Sequence, residues 1–542
     1  HSDPVIESAE LLLQEKAPRN IPTATLKTEA AERAKGDTPV ELPDTRLVLN
    51  PLEAIPATNL VSNGRYSVMV TAAGSGYSRY GDLAVTRWQA DPVEDRLGSY
   101  LFLRDVETSE WWSATAEPKQ APGETAYTLM SDDKTSFVKM VGTLRSEVEC
   151  IVVSEGNGEG RRITISNDGA SERIVEVTSY AELVLAPEAA DNAHPAFSKM
   201  FVETEIGRQN GAIFAARRKR DKNEADIALA HFVTDSSGSQ REGEAETDRR
   251  NFIGRGRTLS DAAAFDPEAR LTGGQGCVLD PIIALRRRVR VAPNKKVVLT
   301  FWTVVGASRE EVEGTMSRID HSDSFARQAM LSWTRSQVQT HHVGLTLAEA
   351  ANVQKLARYL IYPDKWMRRP AEAIASGLST QAALWPLGIS GDFPIFAIRI
   401  GDQADLEIVA NALRMQEYLR ARGLVIDLVV VNEQASTYVQ DLQHAIEALC
   451  ENSRVRGREH GPREHIFAIR RDLIDKKSYR TVVTVARVVV HTRNGTVFDQ
   501  IERAEAIEMQ AKGITPPSGE IALPEPVEEK RTAETVAIPV AA

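Results

Sequence analysis

The chain has 542 residues, 42% of them hydrophobic and 26% charged, with a formal net charge of −11. That length permits about two to four domains with sizeable cores. The negative balance excludes bulk attraction to nucleic acid or anionic lipid, and no apolar run approaches the roughly 20 residues that span a bilayer.

Three widely separated cysteines, Cys150, Cys277 and Cys450, suit neither a disulfide framework nor a zinc site and point to a reducing compartment. His1 stands where a Met would start the chain and the next residues are polar, so we read no signal peptide and expect a piece of a longer polypeptide. Residues 1–45 form a lead-in, with SAELLLQEKAP able to make a short helix and a Pro- and charge-rich linker behind it.

From 46 to 307 the pattern is β. Runs such as YLFLRDV, FVKMVGTL, RRITISN, RIVEVTSYAELVL, GAIFAAR and KVVLTFWTVVG recur at close spacing, with turn signals such as Asn157-Gly158, Asp168-Gly169 and Pro293-Asn294 between them. This predicts a large antiparallel sandwich. In Arg286 to Ala292 the alternation sets Val289 and Val291 on one side and the arginines on the other.

Residues 308–380 read as a helical linker. Ser308 caps a helix ahead of Glu310 and Glu311, and Thr346 with Glu349 forms a capping box. From 381 to 505 strands (FPIFAIRI, VIDLVVVN, HIFAIRR) alternate with helices (ADLEIVANALRMQEYLRARG, STYVQDLQHAIEALC), which predicts a small parallel α/β layer. SYRTVVTVARVVVHT is ambiguous, a helix running into a strand being one reading, and TVFDQIERAEAIEM looks helical. The tail, 506–542, is rich in Pro, Glu and Thr and reads as disordered.

Asn59 to Trp88 holds the most suggestive chemistry. The β-rich runs YSVMVTA and LAVTRW flank a connector, AGSGYSRYGD, that displays Tyr77, Arg79, Tyr80 and Asp82. Aromatics and charges on a glycine-backed loop suit a polar ring such as a sugar; tyrosines covering a sheet edge are the plainer alternative. Trp111 and Trp112 are adjacent in one strand, so they point to opposite faces, one to the core and one to solvent or an interface. An exposed Trp is either a sugar-stacking surface or an edge that another domain covers.

Other chemistries lack their patterns. No GxGxxG or GxxxxGK[ST] follows a strand, and GISGD (Gly388 to Asp392) precedes one. No GxSxG elbow is present. His341 with His342, and Asp320, His321 and Asp323, have no metal-ligand spacing. The basic run Ala216 to Lys222 reads as a solvated hairpin loop, and Arg286 to Arg290 as an outer sheet face paired with acids.

Several long segments then go further than spacing. LVSNGRYSVMVTAAGSGYSRYGDLAVTRW, GSYLFLRDVETSEWWSATAEP, NAHPAFSKMF, ETDRRNFIGRGRTL and VLDPIIALRRRVRV resemble the carbohydrate-binding sandwich of cyclic β-1,2-glucan synthases, of the glycoside hydrolase family 94 type. WMRRPAEAIASGL, LWPLGISGDFPIFAIRI and VNEQASTYVQDLQ look like the stretch that follows it, so the resemblance covers roughly residues 5–505. It implies a galactose-mutarotase-like supersandwich, and a parent enzyme on the cytoplasmic side of a bacterial inner membrane that builds glucan from UDP-glucose. The Q-x-x-R-W of a processive glycosyltransferase and the W-N-D of a family phosphorylase barrel are both absent, and so are the helices of an (α/α)6 barrel. No catalytic residue is carried over, and neither metal nor cofactor is called for.

The resemblance implies a sugar-binding, domain-organising segment whose partners are β-1,2-glucan oligosaccharides and the neighbouring catalytic modules. The candidate sugar contacts are Tyr77, Arg79, Asp82, Arg87, Trp88 and Trp112, and Asp392 and Glu433 are the acids worth testing for chemistry. A stand-alone glucan phosphorylase or glycosidase, and a spacer without ligand, remain as alternatives.

Overall fold

Alternating apolar residues between Arg46 and Gly306 pair as strands, because period-2 side chains can bury one face against a second sheet. The structure is a computed structural model; it describes residues 45–208, 211–235, 243–434, 440–457 and 465–511. These lie in one compact unit, Asp44–Thr515.

The strands begin with β1 (Arg46–Val48), β2 (Thr58–Ser62), β3 (Tyr66–Thr71), β4 (Gly76–Tyr80), β5 (Leu83–Thr86), β6 (Tyr100–Asp105) and β7 (Trp111–Ser113). They continue with β8 (Thr125–Met130), β9 (Lys134–Val141), β10 (Leu144–Val152), β11 (Asn157–Asn167) and β12 (Arg173–Pro187). The sandwich closes with β13 (Val202–Ile206), β14 (Ile213–Arg217), β15 (Ala228–Asp235), β16 (Glu244–Asp248), β17 (Pro281–Val291) and β18 (Lys296–Gly306). Short helices α1 (Glu188–Ala193), α2 (Pro195–Lys199) and α3 (Arg249–Ile253) interrupt it.

One sheet has the order β1-β8-β9-β10-β11-β18-β15-β14-β13. The other runs β16-β17-β12-β5-β4-β3-β2, with β6 beside β12 and β7 beside β6. The pairings are antiparallel throughout. Val68, Leu103, Phe137, Val148, Ile163, Val177, Leu285 and Phe301 fill the space between the sheets and are almost wholly buried. Each such side chain contributes about 1.5–3 kcal/mol.

The helices that follow are α4 (Arg309–Ile319), α5 (Ser324–Val343), α6 (Leu347–Ile361) and α7 (Ala371–Ala375). Ser308 caps α4 through Glu311 N–H, and Thr346 and Glu349 form the capping box of α6. α5 is inverted. Its buried face carries Gln328, Ser332, Ser336 and Thr340, while Met330, Trp333 and Val338 face outward.

The polar face of α5 meets Asp132, in the turn between β8 and β9. Asp132 accepts hydrogen bonds from Ser336, from Thr340 at 3.0 Å, from Tyr418 and from Arg422 at 2.5 Å. Arg422 also donates to the Asp132 carbonyl at 2.8 Å and to Ser336 at 3.0 Å, and its side chain is only 1% exposed. Burial opposes the Asp132 charge, but the Arg422 guanidinium and the hydroxyls outweigh it and hold the carboxyl below its ordinary value.

The last layer holds β19 (Ile395–Ile400), α8 (Leu406–Ala421), β20 (Asp427–Asn432), α9 (Asp441–Gly457), β21 (Ile466–Arg470), α10 (Lys476–Val485), β22 (Val488–His491) and α11 (Val497–Ala511). Its parallel sheet has the order β21-β20-β19-β22. Both faces are covered, so β20 is buried at every residue. Gln354 of α6 locks onto the end strand β2: its Oε1 accepts from Leu60 N–H at 2.9 Å and its Nε2 donates to the Leu60 carbonyl at 2.8 Å.

Sandwich, helices and parallel layer follow the expected order, and the ambiguous segment is a helix running into a strand. Three details differ. The connector AGSGYSRYGD is not one loop, since Gly76–Tyr80 is strand β4. At Gly76 a Cβ would lie 2.0 Å from the Met69 carbonyl oxygen, so this glycine serves close pairing rather than an open turn. Arg287 shares the face of Val289 and Val291 and is buried, its Nη1 donating to the Arg286 carbonyl at 3.0 Å. Helix α11 runs to Ala511, past the expected start of the tail. The rest of that tail and the expected N-terminal helix lie outside the described residues.

Candidate functional site

β4 alternates, so Tyr77 and Arg79 share one face and Ser78 the other. The Arg79 guanidinium stacks over the Tyr77 ring at 4.3 Å, and Glu188 of α1 pairs with Arg79. Tyr77 is buried and packs on Trp88 at 5.4 Å. Trp88 Nε1–H donates to Ser75 Oγ at 3.0 Å, and its ring meets Tyr362 edge-on at 6.2 Å. Burial raises the Tyr77 hydroxyl above its ordinary pKa, with Arg79 opposing, and among the described residues that hydroxyl has no hydrogen-bond partner. The adjoining cavity is about 10 Å³, room for about one water and not for a sugar.

Next to it runs a ladder of alternating charge. Arg87 grips Asp191 with two bonds, at 2.9 and 3.0 Å, and reaches Glu182 at 3.0 Å. Glu182 also accepts from Tyr180 Oη at 3.1 Å and from Arg249 Nε at 2.7 Å. Arg249 continues to Asp280 at 3.3 Å, and Asp280 pairs with Lys199 at 2.6 Å. Burial disfavours the Arg87 charge, but Asp191 and Glu182 more than offset it and raise its pKa.

Glu182 and Arg249 also line an open cleft of about 270 Å³. Its other charged residues are Asp91, Glu94, Arg96 and Arg257, giving three carboxylates against three guanidiniums, and Ile253 and Leu259 supply apolar wall. A balanced set of donors and acceptors favours a neutral, hydroxyl-rich ligand over an ion. Ser75 belongs to this wall too, so the Trp88 bond braces it. Residues of the segment ETDRRNFIGRGRTL face the cleft, although its arginines carried no pattern that marks a binding wall.

The remaining candidates are scattered. Asp82 is exposed at the turn between β4 and β5. Trp112 is in the sandwich core, whereas Trp111 is the half-buried one and stacks on Phe265 at 4.2 Å. Asp392 is exposed ahead of β19, and Glu433 follows β20, so the two acids sit at opposite ends of the parallel sheet. Strand rise separates them by about 20 Å, against the roughly 5–10 Å of a paired-carboxylate glycosidase. Glu433 accepts from Arg399 at 2.8 and 3.0 Å, from Tyr479 at 2.8 Å and lies 3.4 Å from His491 Nε2. Burial opposes its charge, but Arg399 and Tyr479 hold the carboxyl below its ordinary value. Among the described residues no cluster of His, Cys, Asp and Glu is arranged to hold a metal ion, and no helix is long and apolar enough to cross a membrane.

Comparison with known proteins gives a match of residues 44–322 to the family "Glycosyl hydrolase 94, supersandwich domain". The cyclic beta-(1,2)-glucan synthase NdvB of Rhizobium meliloti (strain 1021) is 54% identical over 524 residues, which cover 97% of this chain and 18% of that protein. The N,N'-diacetylchitobiose phosphorylase of Vibrio furnissii is 24% identical over 173 residues, 31% of this chain and 21% of that one. The chain thus spans about a fifth of the length of these relatives. Among solved structures, a bacterial glucoamylase complexed with acarbose aligns at a TM-score of 0.33 and 10% identity, over 59% of this chain and 44% of that one. A galactose mutarotase related enzyme from Lactobacillus acidophilus aligns at 0.25 and 8%, over 46% and 98%.

Proposed function

Because the chain belongs to the glycosyl hydrolase 94 supersandwich family, we propose that it is a glucan-binding, domain-organising segment of a cyclic β-1,2-glucan synthase and performs no bond-breaking step itself. The charge-balanced cleft beside Glu182 and Arg249 is the observation that supports this reading most strongly. Glucose units enter the cleft and exchange hydroxyl hydrogen bonds with Glu182, Arg249 and Asp91. Arg87 and Trp88 hold the wall through Glu182 and Ser75, and Tyr77, under the Arg79 guanidinium, packs on Trp88; Asp82 and Trp112 are not among the residues that line the cleft. Neighbouring catalytic modules of the parent, which uses UDP-glucose at the cytoplasmic side of an inner membrane, receive the bound chain.

The organising role is supported by the Asp132–Arg422 junction, which ties sandwich, helices and parallel layer together. Calorimetric titration with linear and cyclic β-1,2-glucans, with cellobiose as control, tests the reading. The expected result is micromolar to millimolar binding of β-1,2-glucans alone, weakened at least about tenfold in Arg249→Ala. A flat trace from folded protein would overturn it.

A further inference from the structure

The charge ladder does not stop at the cleft. Arg249 leads to Asp280, and Asp280 to Lys199. Around that last pair stand three exposed apolar side chains: Phe197 at 50%, Met200 at 48% and Leu279 at 62% exposure. Phe197 is not loose. Phe201 meets it edge-on at 5.2 Å, and the Arg220 guanidinium lies over both rings at 5.8–5.9 Å. Arg217 anchors α2 from below by donating to the Ser198 carbonyl at 2.9 Å.

Leu279 adds an independent sign. Its φ is +69°, a left-handed conformation that is uphill for a bulky residue. This left-handed residue presents its apolar side chain to solvent, and backbone outliers of this kind cluster at binding and functional sites.

We propose that Phe197, Met200 and Leu279 form an outlying subsite on which the glucan leaving the cleft stacks the apolar face of a further glucose unit. This rests on the glucan reading of the cleft. A pyranose needs one ring-sized apolar surface with polar groups at its edge, and Lys199, Asp280 and Arg220 supply that edge. Three side chains fall far short of the roughly 20–30 residues a side that a stable protein interface uses.

The test is calorimetry on the full chain with the β-1,2-linked glucose disaccharide and with linear β-1,2-glucans of increasing length. In the native protein affinity should rise with length. Phe197→Ala and Leu279→Gly should lower affinity for the long glucans about fivefold and leave the disaccharide unchanged, while Arg249→Ala weakens both. Phe197→Leu, which keeps the volume, serves if the alanine variant fails to fold. Long glucans bound equally by native and Phe197 variants would overturn the subsite and leave the cleft standing. Loss of self-association in those variants by ultracentrifugation, with glucan binding intact, would overturn it in favour of a protein contact. No glucan binding by native protein would overturn both readings.

Discussion

Arg422→Ala should separate the sandwich from the helical and parallel layers. The substitution removes the ion pair to Asp132 and the bonds to the Asp132 carbonyl and Ser336, and strands a buried carboxylate with hydroxyl donors only. Removing one partner of a buried pair costs about 3–5 kcal/mol. Asp132→Ala strands the guanidinium and costs a similar amount. In the double variant neither charge is stranded, so its loss should fall short of the sum by about 1.5 kcal/mol or more. Urea unfolding followed by tryptophan fluorescence and circular dichroism measures all four corners of the cycle. Because the Asp132 carboxyl is held below its unfolded value, its contribution is present above about pH 4 and is lost as pH falls through the folded value. Acid also neutralises the carboxylate that Arg422→Ala strands, whose value burial raises once the guanidinium is gone, so the gap between native protein and the variant should be widest near neutral pH and narrow steadily as pH falls. An Arg422→Ala loss under about 1 kcal/mol, or strictly additive single losses, would refute the assignment of this junction.

Buried His231 lies between Ser179 Oγ at 2.8 Å and Thr303 Oγ1 at 3.0 Å, and burial pushes its pKa down to about 3. The unfolded chain takes up that proton first, so lowering the pH from 7.5 to 5.5 should cost about 1.4 kcal/mol that a His231→Gln variant does not lose, measured by urea unfolding at both values. Gly76→Ala drives a methyl against the Met69 carbonyl and should cost at least about 3 kcal/mol, seen as lost soluble yield or a lowered Tm. Thr346→Ala breaks the capping box of α6 and should cost about 1 kcal/mol, read by the same unfolding assay.

Regular elements were legible in the sequence because one periodicity governs each of them. The capping box at Thr346 and Glu349 and the alternation in β10 to β12 depend on neighbours a few residues away. What resisted reading depends on contacts that periodicity does not report, some of them with partners far along the chain. Gly76 looks like loop residue until β3 is beside it. Arg287 breaks its apolar face because its guanidinium finds a carbonyl one residue away. α5 reads as an ordinary amphipathic helix, yet it buries Ser336 and Thr340 because Asp132, some 200 residues earlier, waits for hydroxyl donors. The site suffered most. Tyr77, Arg79, Arg87 and Trp88 do gather, but the acids that pair with two of them, Glu182, Glu188 and Asp191, lie about 100 residues on. The cleft itself is lined by β12, α3 and the loop segments 89–97 and 257–259, which lie far apart in the chain, so its charges have no local spacing.

Gln354 has a consequence for how the molecule can be divided. A sheet's last strand offers unpaired N–H and C=O groups that a second chain can adopt as a template. At Leu60 one amide side chain takes both groups, occupying the position of a residue in a further strand. The stop on lateral growth of the sheet therefore comes from α6, outside the sandwich. A fragment ending at Gly306 would expose that edge and invite pairing with its own copies. The last strand of the sandwich is the wrong place to cut this polypeptide, and a dissection that keeps α6 keeps the sheet closed.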